Sequence, residues 1–134
     1  MRWLDTNVIL RYLTADDPVK AQACLSLFRR VEQGEETLAT SETHVAETCY
    51  VLTSQHGLGH SEIAARLRPL VDLSGLKLPR KRAVLRALDL YAQHSRLDFE
   101  DALSVAQMEH LGISEIVSYD RDFDRVPDIV RQDP

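Results

Sequence analysis

Apolar residues along this chain keep two alternating rhythms, and the switches between them predict short strands separated by amphipathic helices. Arg2–Asp5 reads as a short buried strand, and Thr6–Leu13 as a helix with Asp5 or Thr6 placed to cap it. Ala15–Asp17 breaks the pattern. Pro18 suits the first turn of a second helix with Asp17 as its cap, running to about Gln33 and stopping at Gly34. Its apolar positions Ala21, Cys24, Leu25 and Phe28 keep a helical period. A short strand at Thr37–Thr40 leads to a helix capped by Ser41 or Thr43, carrying Val45, Cys49, Val51 and Leu52 and fading at Gly57. A further helix at Ser61–Leu73 stops near Gly75, and the two helices between Ser41 and Gly75 suggest a small projecting hairpin. Leu76–Leu78 is a candidate strand, and Arg80–His94 and Asp98–His110 are helices, the latter ended by Gly112. Ile113–Ser118 is a strand rich in Ile and Val, and Ile129–Arg131 a last short one. Strands alternating with helices predict an α/β sandwich with a parallel sheet. The length suits a single domain over residues 1–134, with no repeat or linker.

Composition narrows the class. A content of 44% hydrophobic and 28% charged residues excludes a disordered chain. No apolar run approaches the roughly 20 residues of a membrane span, and MRWLDTNVIL lacks a signal-peptide layout, so a cytoplasmic location is expected. Cys24 and Cys49 lie in apolar helical patterns and read as buried, reduced thiols. The net charge of −5 argues against a nucleic-acid binder, unless the acids gather at a site where cations reverse the local field.

Four carboxylates stand where such gathering is possible. Asp5 ends the first strand, Glu47 lies within the third helix, Asp101 is in the first turn of the helix after Leu97, and Asp120 follows the strand Ile113–Ser118. Ligands of parallel α/β sheets collect at the carboxyl ends of strands, which suits Asp5 and Asp120. Each acid also has a plainer account: Glu47 as an exposed charge, Asp5 and Asp98 as helix caps, Asp101 as a partner of the helix dipole, and Asp120, Asp122 and Asp124 as a solvated turn. Clustered carboxylates repel unless a cation neutralises them. Oxygen ligands without His or Cys point to Mg2+ or Mn2+ over zinc. His56 and His60, with Gly57 and Gly59 beside them, read as loop residues.

The segments Leu4-Asp5-Thr6-Asn7-Val8-Ile9-Leu10, the Glu47 helix, Asp98-Phe99-Glu100-Asp101-Ala102-Leu103 and Val117-Ser118-Tyr119-Asp120-Arg121-Asp122-Phe123 resemble, in order, the motifs of PIN domains, and in particular of VapC toxins. The resemblance implies a three-layer α/β/α sandwich with a central parallel sheet. It implies that Asp5, Glu47, Asp101 and Asp120 form an acidic Mg2+ or Mn2+ site, with Asp98 and Asp122 at further acidic positions. Thr6, Asn7 and Ser118 match polar positions that shape the site. The activity implied is metal-dependent hydrolysis of RNA phosphodiester bonds, with a homodimeric state and a cognate antitoxin protein as partner.

RNA also has to be held. The densest basic stretch is Lys77, Arg80, Lys81, Arg82 and Arg86, and Arg80, Lys81 and Arg82 are candidate phosphate contacts against the alternative of a solvated helix face. Arg121 and Arg125, beside Asp120, form a second candidate pair. Two rival readings remain: a catalytically silent PIN-fold module that binds RNA or protein, and a receiver-type signalling domain. The latter lacks a suitably placed phosphoacceptor Asp and strand-end Lys.

Overall fold

The computed structural model describes residues 1–134. Its elements run β1 (Arg2–Trp3), α1 (Thr6–Thr14), α2 (Pro18–Glu32), β2 (Leu38–Ala39), α3 (Glu42–Ser54), α4 (His60–Asp72), β3 (Leu76–Lys77), α5 (Lys81–Gln93), α6 (Phe99–Leu111), β4 (Glu115–Val117), a 3-10 helix (Arg121–Arg125) and β5 (Val130–Gln132). Every strand pairing is parallel. β1, β2 and β3 lie side by side in that order, and β4 pairs with β5 as a separate ladder. Helices separate successive strands, and the fold is a three-layer α/β/α arrangement with the parallel strands at its centre.

The carboxyl ends of the first three strands are stitched together beyond the strands themselves. The Leu4 amide donates to the Ala39 carbonyl (2.7 Å), and the Thr40 amide to the Lys77 carbonyl (2.9 Å). The buried Thr40 hydroxyl donates to the Leu4 carbonyl at 3.0 Å. This fixes the points where the chain leaves the sheet for Asp5 and for α3. At the other end, Gly75 passes so close to α2 that a Cβ there would stand 2.8 Å from Val31 Cγ1 and 3.0 Å from the Val31 carbonyl oxygen.

One core joins the helices. Leu4, Ile9, Phe28, Leu38, Leu52, Leu67, Leu88 and Phe99 are all buried within it. α4 turns Ile63, Ala64, Leu67, Leu70 and Val71 inward and packs on α5. The stretch from Ser41 to Gly75 is therefore an integral part of the core and does not project, because both of its helices have a wide apolar face to bury.

Other expectations change at the edges. β1 is shorter than Arg2–Asp5 and is not buried: Trp3 is 61% exposed, and only Leu4 enters the core. The Ile- and Val-rich stretch Ile113–Ser118 contributes just Glu115–Val117, with Val117 exposed. His60 is not a loop residue but opens α4, its ring stacked on Tyr91 with centroids 3.7 Å apart. The acidic turn after Asp120 is a 3-10 helix anchored by buried Phe123. Cys24 and Cys49 are free and buried as expected, and burial pushes the Cys49 thiol up to about 12.

Candidate active site

Asp5 occupies the cap position of α1 with an extended backbone, yet its side chain makes no capping hydrogen bond. The carboxylate is therefore turned to other partners, and Asp5 Oδ1 faces His44 Nε2 at 3.4 Å. The His44 ring is held on its other side, with Nδ1 2.8 Å from Ser41 Oγ, and stands edge-on to Trp3. Thr6, the first residue of α1, is buried, and its hydroxyl donates to Glu47 Oε2 at 2.8 Å. Its partner is thus Glu47. His44 and Glu47 are three apart on α3 and share a face. That spacing is the signal that would have singled out His44 in the sequence.

The remaining acids meet at the start of α6. Asp98 caps the helix, its Oδ1 accepting from the Asp101 amide at 3.2 Å. Asp120 caps the 3-10 helix, its Oδ1 accepting from the Asp122 amide at 2.9 Å, while its own amide donates to Ser118 Oγ at 3.0 Å. Both turns thus use an acid as a cap, and the capping oxygens are held in place. Asp101, in the first turn of α6, feels the charge of both. Its carboxyl is pushed up to about 7, first by burial, then by the charge of Asp98 and a hydrogen bond with it, and further by the charges of Asp120 and Glu100. α6 packs against α3, and the charge of Glu100 adds to the rise of the Cys49 thiol, two residues beyond Glu47.

The acids are thus arranged as His44–Asp5, Thr6–Glu47 and the group Asp98–Asp101–Asp120. No three of the His, Cys, Asp and Glu side chains close into a ready-made cation site. The donor chemistry nevertheless fits a hard divalent ion: the candidate ligands are all carboxylate oxygens, and a positive charge beside Asp101 would relieve the repulsion that opposes its ionisation.

Other candidate positions divide sharply. Asp122 is half-buried and lines a cleft with His94, Arg96 and Arg125. Asn7 is exposed beside a different hollow, formed with Arg11, Thr14 and Gln55. Arg80 is paired with Glu42 in the first turn of α3. Lys81 is turned into the fold, its ammonium donating to the Leu73 carbonyl (2.5 Å) and the Leu76 carbonyl (2.8 Å). Those two bonds correct its placement among the RNA-facing cations, since they tie the end of α4 to the start of α5. Arg82 and Arg121 are exposed and take part in no ion pair.

A profile of the PIN domain matches residues 3–129 of this chain. The chain belongs to the PIN-domain family. Its match to the family spans every acid described above, from Asp5 to Asp122. Among individual proteins, this PIN domain is similar to a VapC ribonuclease of Aquifex aeolicus, with 25% identity over 126 residues covering 94% of this chain and 92% of that protein. VapC ribonucleases of Mycobacterium bovis and Mycobacterium tuberculosis match it with 29% identity over 131 residues, covering 96% of either partner.

Proposed function

We propose that this PIN domain is an endoribonuclease dependent on Mg2+ or Mn2+, acting as the toxin of a type II toxin–antitoxin pair. The observation that carries the reading is the carboxyl group of Asp101, whose amide is bonded to Asp98 and whose ionisation is opposed by burial and by the charges of Asp98, Asp120 and Glu100. The near full-length similarity to proteins named VapC ribonuclease supports RNA as the substrate. No helix is long and apolar enough to cross a membrane, and the proposed setting is the cytoplasm.

In this reading Asp5, Glu47, Asp101 and Asp120 offer oxygen ligands, and one of them receives the proton of the attacking water. The contribution of the ion, when bound, is to acidify that water and offset charge on the departing oxygen. Thr6 orients Glu47 through the 2.8 Å hydrogen bond, and Ser118 holds the turn that presents Asp120. Asp98 sets the first turn of α6 and so the direction of Asp101. Control by an antitoxin protein and a homodimeric state complete the proposal.

The test is cleavage of an end-labelled RNA. Mn2+-dependent cuts that vanish with chelator are expected, with Asp101→Asn and Asp5→Asn each lowering the rate at least a hundredfold at unchanged circular dichroism. Full cleavage by both variants would overturn the assignment. RNA binding without cleavage by the unaltered protein would favour the silent binding module.

A further inference from the structure

Thirteen arginines stand in the sequence, and eight of them hold an ion pair: Arg2, Arg11, Arg30, Arg66, Arg68, Arg80, Arg86 and Arg131. In a chain of net charge −5, five guanidinium groups are thus left without a carboxylate. Three of those five, Arg96, Arg121 and Arg125, sit in the two segments that carry Asp98 and Asp120. Arg96 lies two residues before Asp98, and Arg121 and Arg125 belong to the 3-10 helix that Asp120 caps.

Arg96 and Arg125 face a common space. They line a cleft of about 230 Å3 with Gln93, His94, Ser95 and Asp122. Both walls are anchored by hydrogen bonds and buried neighbours. Arg96 lies in a turn closed by the Leu97 amide on the His94 carbonyl at 3.1 Å, and Leu97 is buried. Arg125 ends a 3-10 helix whose Phe123 and following Val126 are both buried, with the Val126 amide on the Phe123 carbonyl at 3.1 Å. The His94 carbonyl is further fixed by His60 Nδ1 at 3.2 Å. Two forked cations are thereby carried on anchored backbone, with His94 and Ser95 in the same lining and a single acid, Asp122. Planar guanidinium forks match phosphate oxygens, and the anchoring spares part of the ordering cost.

The geometry points to this cleft as the seat of an RNA backbone phosphate next to the bond being cut, gripped by Arg96 and Arg125 beside the carboxylate group of Asp98, Asp101 and Asp120. This rests on the ribonuclease reading above and deepens it. An acidic cluster repels RNA along its whole length, so the phosphates flanking the scissile one need cations of their own. The cleft supplies them within a few residues of two of the acids. Interactions of this kind position the strand and carry no base preference.

The test compares Arg96→Ala/Arg125→Ala with Lys20→Ala/Arg29→Ala, a control that removes two exposed cations of α2 that hold no ion pair and lie outside the cleft. The probe is a fluorescent single-stranded RNA, titrated by anisotropy in Ca2+ over a range of salt. The cleft variant is expected to bind at least tenfold more weakly, with its slope against log salt shallower by about 0.7 for each phosphate that is no longer neutralised. The control should stay within about twofold. A series of RNAs, each with one neutral methylphosphonate linkage, should contain one position that weakens the unaltered protein and leaves the cleft variant unchanged. Equal losses from both variants, or methylphosphonate penalties that are the same in both proteins, would overturn the proposal. So would unchanged RNA binding accompanied by loss of binding to an acidic peptide, which would assign the cleft to a protein segment. Failure of the ribonuclease reading has a separate signature: no Mn2+-dependent cleavage by a protein whose RNA binding still depends on the cleft.

Discussion

Asp101 bears an electrostatic cost that its neighbours Asp98, Glu100 and Asp120 impose, and the cost is removable by one atom's change. Asn keeps the shape and loses the charge. In chelator-treated protein at pH 8, Asp101→Asn should therefore melt a few degrees higher than the unaltered chain, measured by calorimetry. Added Mn2+ should raise the unaltered protein and leave the variant nearly unmoved, since binding to the folded state alone stabilises it by mass action. A variant that melts lower without metal would show that Asp101 serves the fold. Stability surrendered at one residue and recovered on ligation is a common mark of functional sites. Asp5 shows the same trait in another form. It occupies a cap position and leaves the capping bond unmade, so its carboxylate stays free to face His44.

Among the elements, the meeting of α2 with the start of β3 has no slack. Gly75 fits only because it lacks a Cβ, the nearest obstacles being Val31 Cγ1 at 2.8 Å and the Val31 and Glu36 carbonyl oxygens at 3.0 and 3.1 Å. Two of these are backbone atoms and cannot rotate away. Gly75→Ala should destabilise the protein by about 1–3 kcal/mol, as overpacking does, read as a lower urea midpoint with an unchanged slope. A loss below about 0.5 kcal/mol would mean that α2 yields easily. Because the Gly75 carbonyl accepts from the Leu38 amide, the same change should loosen β2 against β3. The helix starts show how sequence signals play out at this scale. Asp17 and Asp98 cap as their positions predict, whereas Ser41 gives its hydroxyl to His44 and caps nothing. Capping propensity names candidates, and a competing partner decides which of them cap.

Over the whole molecule, acid stability follows from how the pairs are spread. Glu36 is gripped by Arg2 first and then by Arg30, and Glu109 by Arg86, and each carboxyl is held below its ordinary value. A carboxyl lowered on folding adds stability that is present above its unfolded value near 4.5 and is lost as pH falls through the folded value. The melting temperature should therefore drop as pH is taken from 5 to 3, and Glu36→Gln should flatten that drop while melting lower at pH 6. A fall of equal steepness in the variant would remove Glu36 from the account. The cations follow a similar division of labour: eight of the thirteen arginines hold ion pairs, and three of the five left over lie in the segments that carry Asp98 and Asp120.

Much of this was written in the chain itself. Helical periods, Pro18, Gly34 and Gly112 located the helices closely, because those signals act over a few neighbouring residues. The short strands were less legible. Two- and three-residue runs carry little period, so β1 and β4 came out shorter and more exposed than their apolar letters suggested. The order of the acidic motifs was also visible, and with it the PIN family. Pairings between distant residues were not: Thr6 with Glu47, Asp5 with His44, Lys81 turned into the fold, and Arg96 sharing a cleft with Arg125. These pairs lie tens of residues apart or depend on which neighbour wins a shared partner. Local sequence sets what each side chain is able to do, and only the packing of α1, α3, α6 and the 3-10 helix decides which of those abilities are brought together.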